Sequence, residues 1–393
     1  MDRPLTLAYV TCYLDTSGVS KLNWDILKRL KEQGVQIHVI TTEGASTGGS
    51  LWETLFDIYV DRPFKLCDVE KSKRLQDFAN YVRDWNISLI FATHSLWLYE
   101  NIAKIKEMLP HIKIVDSLHV LEPYKIRGGF PDISASQYVH PFIDRSILIS
   151  EDLRAYLRRF YAVNESKLDV IRNGIDIEHF ATGRSSDGGF RCELGLKKED
   201  KLIGFIGRFV EQKRPLLFLE IARQTALRYG SFFFYMIGGG KMRSRMEAFI
   251  EKHHLSQRIT VFGERTDIDH VLASTDLLLM PSLYEGAPLT ILEALAAGVR
   301  VIASDVGAIR EYVGNSCSLV ARDREETEIA TFLDEITTYL KKPADPTSAV
   351  CFVREHYDIN KTALQYKNVF LSAVGMELSD DSGHLLDSEQ GKT

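Results

Sequence analysis

The sequence has no apolar run approaching the ~20 residues needed to span a bilayer. Its start, MDRPLTLAYV, passes into a strand-like run without the charged, apolar and small-residue regions of a secretion signal. The expectation is a cytoplasmic chain, at most peripheral to the inner face of a membrane. Cysteine is scarce. Cys12, Cys67, Cys192, Cys317 and Cys351 are scattered, odd in number and without a C-x-x-C spacing, which excludes a disulfide scaffold and a thiolate zinc site and fits reduced thiols. An excess of positive charge is missing too. With a net charge of −6, nucleic acid is not an expected partner, because binding its backbone needs a basic surface.

What is present is the composition of an ordinary globular protein, 45% hydrophobic and 26% charged over 393 residues. That length exceeds what one core serves, so two domains of ~150 to 200 residues are expected. Short apolar runs alternate with amphipathic helical patterns. Strands are expected at Thr6 to Tyr9, Gln36 to Thr41, Ser88 to Ala92, Lys113 to Ser117 and Ser146 to Ile149, and again at Lys201 to Ile206, Phe232 to Ile237, Ile259 to Phe262, Leu277 to Met280, Val299 to Ala303 and Ser316 to Val320. Helices such as Leu22 to Gln33 fall between them. This is the rhythm of parallel sheets with helices on both faces. The fold class is α/β with two doubly wound, Rossmann-like domains facing each other. The expected organisation is a first domain over 1–180, a second over 195–358, a C-terminal helix over 359–375 packing back toward the first domain, and a disordered, acidic tail over 376–393.

Chemistry concentrates in loops at the carboxyl ends of these strands, where ligands of open α/β sheets bind. Glu285 and Glu293 stand eight positions apart in PSLYEGAPLTILEALAAG, a little over two turns at ~3.6 residues per turn, which would place both carboxylates on one side. Between them Gly286, Ala287, Pro288, Leu289 and Thr290 form a turn into a helix start, where backbone N–H groups attract an anion. Carboxylates for hydroxyls beside a phosphate site suit a nucleotide sugar. Gly207-Arg208 and Lys213 follow the first strand of the second domain and are placed to clamp a diphosphate; alone, such a pair also reads as solvated surface cations. Gly238 and Gly239 permit close backbone approach, although a glycine run is also an ordinary turn, and Phe262-Gly263-Glu264-Arg265 ends a strand where backbone groups could pair with a base. In the first domain Ser17-Gly18 follows the first strand, while His94 and His119 follow the third and fourth. Each histidine suits a hydrogen bond to a sugar, and equally a structural bond to backbone.

The order and spacing of these pieces resemble the retaining nucleotide-sugar glycosyltransferases of family 4, which have the GT-B architecture. The resemblance covers about residues 5–374 and rests on E-x7-E (Glu285, Glu293), G-R-x4-K (Gly207, Arg208, Lys213), VIRNGIDIEHF (Asn173, Gly174, Asp176, Phe180) and GVRVIASDVGAIREYV. It implies that Glu293 binds the donor ribose and Glu285 contacts the transferred sugar near its anomeric centre. Arg208 and Lys213 would neutralise the diphosphate with backbone at Pro288, Leu289 and Thr290, and His119 would bond the donor sugar. Gly18 would line the passage to the acceptor, with Ser17 and His94 on that side. Only one glycine stands in the first loop where the family commonly has two. The irregular segment at 120–140 is assigned to acceptor recognition.

The resulting expectation is a retaining, metal-independent transferase. Its nucleoside diphosphate sugar is a substrate rather than a cofactor, with uridine favoured over guanosine, and its acceptor is a hydroxyl of a glycan, a lipid-linked sugar or a small molecule. None of the strand-end loops is read as a D-x-D metal site. A nucleotide-sugar epimerase of the same architecture and a silent glycan-binding scaffold are the rivals. After Ser150, a helix carrying Arg154, Arg158, Arg159, Tyr156, Phe160 and Tyr161 reads either as a solvated basic face or as a dock for an anionic membrane. Oligomeric state is left open.

Overall fold

The computed structural model describes residues 4–14, 17–44, 64–119, 133–182, 189–341 and 346–376. Two parallel sheets organise it. The first contains β1 (Thr6–Thr11), β2 (Gln36–Thr41), β3 (Phe64–Lys65), β4 (Leu89–Thr93), β5 (Lys113–Leu118), β6 (Arg145–Leu148) and β7 (Leu168–Val170), in the spatial order β3-β2-β1-β4-β5-β6-β7. The second contains β8 (Lys201–Ile206), β9 (Phe232–Ile237), β10 (Ile259–Val261), β11 (Leu277–Met280), β12 (Arg300–Ser304) and β13 (Ser318–Val320), ordered β10-β9-β8-β11-β12-β13. In each sheet the order reverses beside the first strand, and the loops leaving β1, β4, β8 and β11 therefore open onto a crevice. β1 and β4 are buried along their whole length, because helices cover both faces; this is why they read as continuous apolar runs.

The helices that shape the cleft are α1 (Gly18–Glu32), α2 (Glu151–Phe160), α3 (Ile177–Thr182), α4 (Pro215–Arg228), α5 (Leu289–Ala296), α6 (Ile309–Val313) and α7 (Ile359–Val374). Ser17 caps α1 by accepting from Ser20 N–H, which fixes where the chain turns after β1. Tyr366 and Phe370, four residues apart on one face of α7, meet Phe91 of β4 with ring centroids 5.8 and 5.1 Å away. The last described helix thus packs on the first sheet. One apolar core joins the halves, from Tyr9 and Phe91 through Tyr366 and Phe370 to Ile291, Leu295 and Val301.

One buried phenol is among the bonds that join the domains. Tyr312 on α6 is buried, stacks on Tyr357 at 5.3 Å, accepts from Asn173 N–H at 2.8 Å and donates to the Ile149 carbonyl at 2.8 Å. Burial pushes its hydroxyl pKa well above the ordinary value, so it remains a neutral donor. Sequence reading missed β3 and β7, whose two and three residues carry no readable period. Of the expected polar boundary, residues 183–188 lie outside the described residues, as do 120–132 of the irregular segment and 377–393 of the tail. Replacing Tyr312 by Phe leaves two buried backbone groups without partners. It is expected to lower the unfolding free energy by about 1–3 kcal/mol, measured by urea titration; an unchanged midpoint would show that the phenol does not join the domains.

Candidate functional site

Glu285 lies in the loop between β11 and α5, and the eight-residue spacing to Glu293 is not two turns of helix, because α5 begins only at Leu289. The shared face expected from helical spacing is therefore corrected, yet both carboxylates are buried, at 4% and 6% exposure. A buried carboxylate needs a counter-charge, and each has a lysine. Lys213 Nζ stands 2.6 Å from Glu285 Oε1 within the second domain. Lys21 on α1 of the first domain stands 2.5 Å from Glu293 Oε1 and lies over the Phe180 ring. Burial works against the Lys21 charge, but Glu293 and Asp25 outweigh it and hold its pKa above the ordinary lysine value. Nothing in the sequence marked Lys21, since its partner is 272 positions away.

Gln212 is a second residue that sequence reading missed. Its backbone carbonyl accepts from Leu283 N–H at 2.8 Å, its side chain donates to the Tyr284 carbonyl at 3.1 Å, and its Oε1 accepts from Arg208 at 3.0 Å. The G-R-x4-K loop and the Glu285 loop are thus one unit, with Lys213 half-buried inside it and Arg208 exposed at its rim. Pro288 precedes α5 and no side chain caps that helix, which leaves its first backbone N–H groups to water or a ligand. Three glycines let loops stack on one another. A Cβ on Gly286 would stand 2.0 Å from the His119 carbonyl oxygen, one on Gly307 1.9 Å from that of Glu285, and one on Gly238 2.1 Å from that of Gly207. A Cβ on Gly239 would meet Glu264 at 3.1 Å, and one on Gly18 would touch Leu289 at 3.7 Å.

On the first-domain side His119 is 3% exposed, and its Nε2 lies 2.9 Å from Ser117 Oγ. Burial, helped by nearby His94, lowers its pKa to about 3, so the ring is neutral at physiological pH. The two imidazoles meet edge to face with centroids 5.9 Å apart, and His94 adopts a left-handed backbone at φ 52°.

At the end of β10, Asp267 at 2.7 Å and Glu193 at 2.9 Å hold the Arg265 guanidinium, which lies over Phe190 and Phe262; these side-chain contacts do not bear on the backbone contact with a base expected of this segment. The loop after β10 does carry a D-x-D spacing in Asp267-Ile268-Asp269, but Asp267 is committed to Arg265 and Asp269 faces His179 at 3.9 Å. On α2, Arg154 pairs with Glu151 at 3.6 Å and Arg158 with Glu165 at 2.8 Å, while Phe160 is 58% exposed.

Two facing Rossmann-like domains define the GT-B architecture. Residues 16–179 match the model of Glycosyltransferase Family 4, and residues 190–348 match that of Glycosyl transferases group 1. The chain belongs to the glycosyltransferase family that these two domains define. It is 33% identical over 173 residues to the UDP-Gal:alpha-D-GlcNAc-diphosphoundecaprenol alpha-1,3-galactosyltransferase of Escherichia coli, covering 43% of this chain and 43% of that protein. With a D-inositol 3-phosphate glycosyltransferase of Segniliparus rotundus it shares 25% identity over 337 residues, 77% of this chain and 74% of the relative. The matched stretch thus spans under half of the E. coli relative. The crystal structure of Anabaena Alr3699/HepE in complex with UDP-glucose superposes with a TM-score of 0.79 at 19% identity, over 94% of this chain and all of the other (100%). This last likeness concerns the fold.

Lys213→Ala strands the buried Glu285 charge and is expected to cost about 3–5 kcal/mol of stability. Adding Glu285→Gln should restore much of that loss in urea titrations, and additive effects would deny the pairing. His119 gives a pH test. Below its usual 6.5 the unfolded chain takes up a proton on this residue, whereas the folded protein does not until about 3. Acid therefore favours unfolding across that window. His119→Gln should flatten the acid side of the stability curve by up to about 1.4 kcal/mol per pH unit; parallel curves would mean the ring is not held neutral.

Proposed function

We propose that this protein transfers a sugar, with retention of anomeric configuration and without a metal, from a nucleoside diphosphate donor to a hydroxyl of a glycan or lipid-linked acceptor. The observation that carries the reading is the joined loop pair. Lys213 and Arg208 are tied through Gln212 to the Glu285 loop, beside the uncapped start of α5. As the bond between the anomeric carbon and the diphosphate breaks, negative charge grows on the leaving oxygens. Two cations and the backbone N–H groups of a helix start stabilise that charge without reorganising.

In this reading Glu293 receives the ribose hydroxyls, its Oε2 being left over once Lys21 has taken Oε1. Glu285 and His119 border the transferred sugar, and Ser17, Gly18 and His94 lie on the acceptor side. The E. coli relative is named for a UDP-sugar donor and a lipid diphosphate acceptor, which favours uridine and a lipid-linked glycan. No helix among the described residues is long and apolar enough to cross a membrane. A cytoplasmic protein touching the membrane through α2 and Phe160 is part of the same proposal.

The test is a panel of uridine, guanosine, adenosine and thymidine diphosphate sugars, followed by thermal stabilisation and mass-resolved detection of released nucleotide. A uridine diphosphate sugar should stabilise the protein and be slowly hydrolysed. Arg208→Ala, at an exposed position, should keep the melting temperature of the ligand-free protein and lower kcat/KM about 10²- to 10³-fold. Binding of no donor would sink the transferase in favour of a glycan-binding scaffold, and an isomeric nucleotide sugar without release would identify an epimerase.

A further inference from the structure

The carboxyl ends of β4 and β5 place two hydroxyls side by side, since Thr93 and Ser117 are register partners and paired residues point to the same face of a sheet. Their oxygens are 2.9 Å apart. At one end of this pair Asn23 of α1 donates to Thr93 Oγ1 at 3.4 Å and to the Tyr9 hydroxyl at 2.9 Å. At the other, Ser117 Oγ lies 2.9 Å from His119 Nε2. All four residues are buried, with exposures of 0% for Asn23, 1% for Thr93, 0% for Ser117 and 3% for His119.

An amide nitrogen only donates, so Thr93 Oγ1 accepts from Asn23. The bonds beyond it can then run in one direction, Thr93 donating to Ser117 and Ser117 to His119 Nε2. A neutral imidazole has one N–H and one lone-pair nitrogen, so with Nε2 accepting, the hydrogen sits on Nδ1. That atom is buried and has no hydrogen-bond partner among the described residues. An N–H in such a place costs about 1–3 kcal/mol when unmet.

We propose that Asn23, Thr93 and Ser117 are positioning residues that fix His119 as the Nδ1–H tautomer, so that it donates to an oxygen of the transferred sugar. The tautomer rests on the relay running from Thr93 to His119, and the sugar contact on the donor reading given above. The relay also explains why polar groups occupy strand ends where apolar residues would pack: they orient a ring that carries no charge. Ser117 never touches the donor, and its influence passes through Nε2.

The experiment is nitrogen-15 NMR on the full chain with labelled histidine at pH 7, with His119 assigned by the signals lost in His119→Gln. The ligand-free protein should show a protonated Nδ1 and an unprotonated Nε2 at this residue. In Ser117→Ala the Nε2 signal should move toward the protonated form. Affinity for the sugar nucleotide and kcat should fall about tenfold, while affinity for the free nucleoside diphosphate stays within twofold. Thr93→Ser should keep the wild-type pattern and Thr93→Val should shift it, which covers the case of a Ser117→Ala protein that does not fold. A wild-type ring protonated at Nε2, or a pattern that neither Ser117→Ala nor Thr93→Val moves, overturns the relay. A shifted tautomer with unchanged sugar-nucleotide affinity and kcat overturns the sugar contact. Absence of all nucleotide binding, with the tautomer as stated, would refute the donor reading while leaving the relay intact.

Discussion

A carboxylate that leaves water must find a counter-charge, and the two glutamates between the domains meet that demand in different ways. Glu285 is held by Lys213, a residue of its own domain, so its ion pair does not depend on how the halves are arranged. Glu293 is held by Lys21 from the opposite domain, and its electrostatic environment is therefore part of the closed arrangement itself. Separating the domains exposes Glu293 to water and returns the Lys21 ammonium to solvent. In the proposed reading the same buried carboxylate serves as a contact between domains and as a subsite for hydroxyls. A carboxylate has two oxygens and about four acceptor positions, which lets one group do both.

The loops around these glutamates are brought together by what their glycines lack. Gly286 admits the His119 carbonyl, Gly307 admits that of Glu285, and Gly238 admits that of Gly207. In each case a methyl group would overlap a backbone oxygen, so the packing of one loop on the next is fixed by main chain. Side chains that do enter the cleft are then few and firmly held. Gln212 anchors Arg208, Lys213 anchors Glu285, and Ser117 anchors His119. Preorganisation of this kind matters for transferring a group between ligands, because dipoles that are already aligned need no rearrangement when charge develops.

Much of this was legible in the sequence, and the limits have physical causes. The alternation of apolar runs and helical patterns located β1, β2, β4 to β6 and β8 to β13, most plainly β1, β4 and β11, which are buried along their whole length. It could not show β3 or β7, which are too short to display a period. The E-x7-E reading placed Glu285 in a loop after a strand and Glu293 on a helix, as found, but counted a full two turns of helix between them, whereas α5 starts only at Leu289. Lys21 and the Thr93–Ser117 pair were invisible because they depend on contacts between distant segments. The guanidinium of Arg265 likewise takes partners that its place at a strand end does not reveal, Asp267 and Glu193.

Each domain uses a different kind of polar chemistry, and the division follows from what the proposed reaction asks of it. The second domain presents fixed charge in Lys213, Arg208 and the start of α5, as suits a diphosphate whose negative charge increases on departure. The first domain presents a pair of buried hydroxyls and an uncharged imidazole beside Asp116, whose pKa burial raises against the opposing bonds from Ser134, Ser146 and Tyr99, while Lys21 is held by Glu293. A charged ring at His119 would compete with Lys213 and Arg208 for the diphosphate and would oppose positive charge developing at the anomeric carbon. Keeping His119 neutral avoids both effects while preserving one directional hydrogen bond. Ser134, which donates to Asp116, stands just beyond residues 120–132 of the segment assigned to the acceptor.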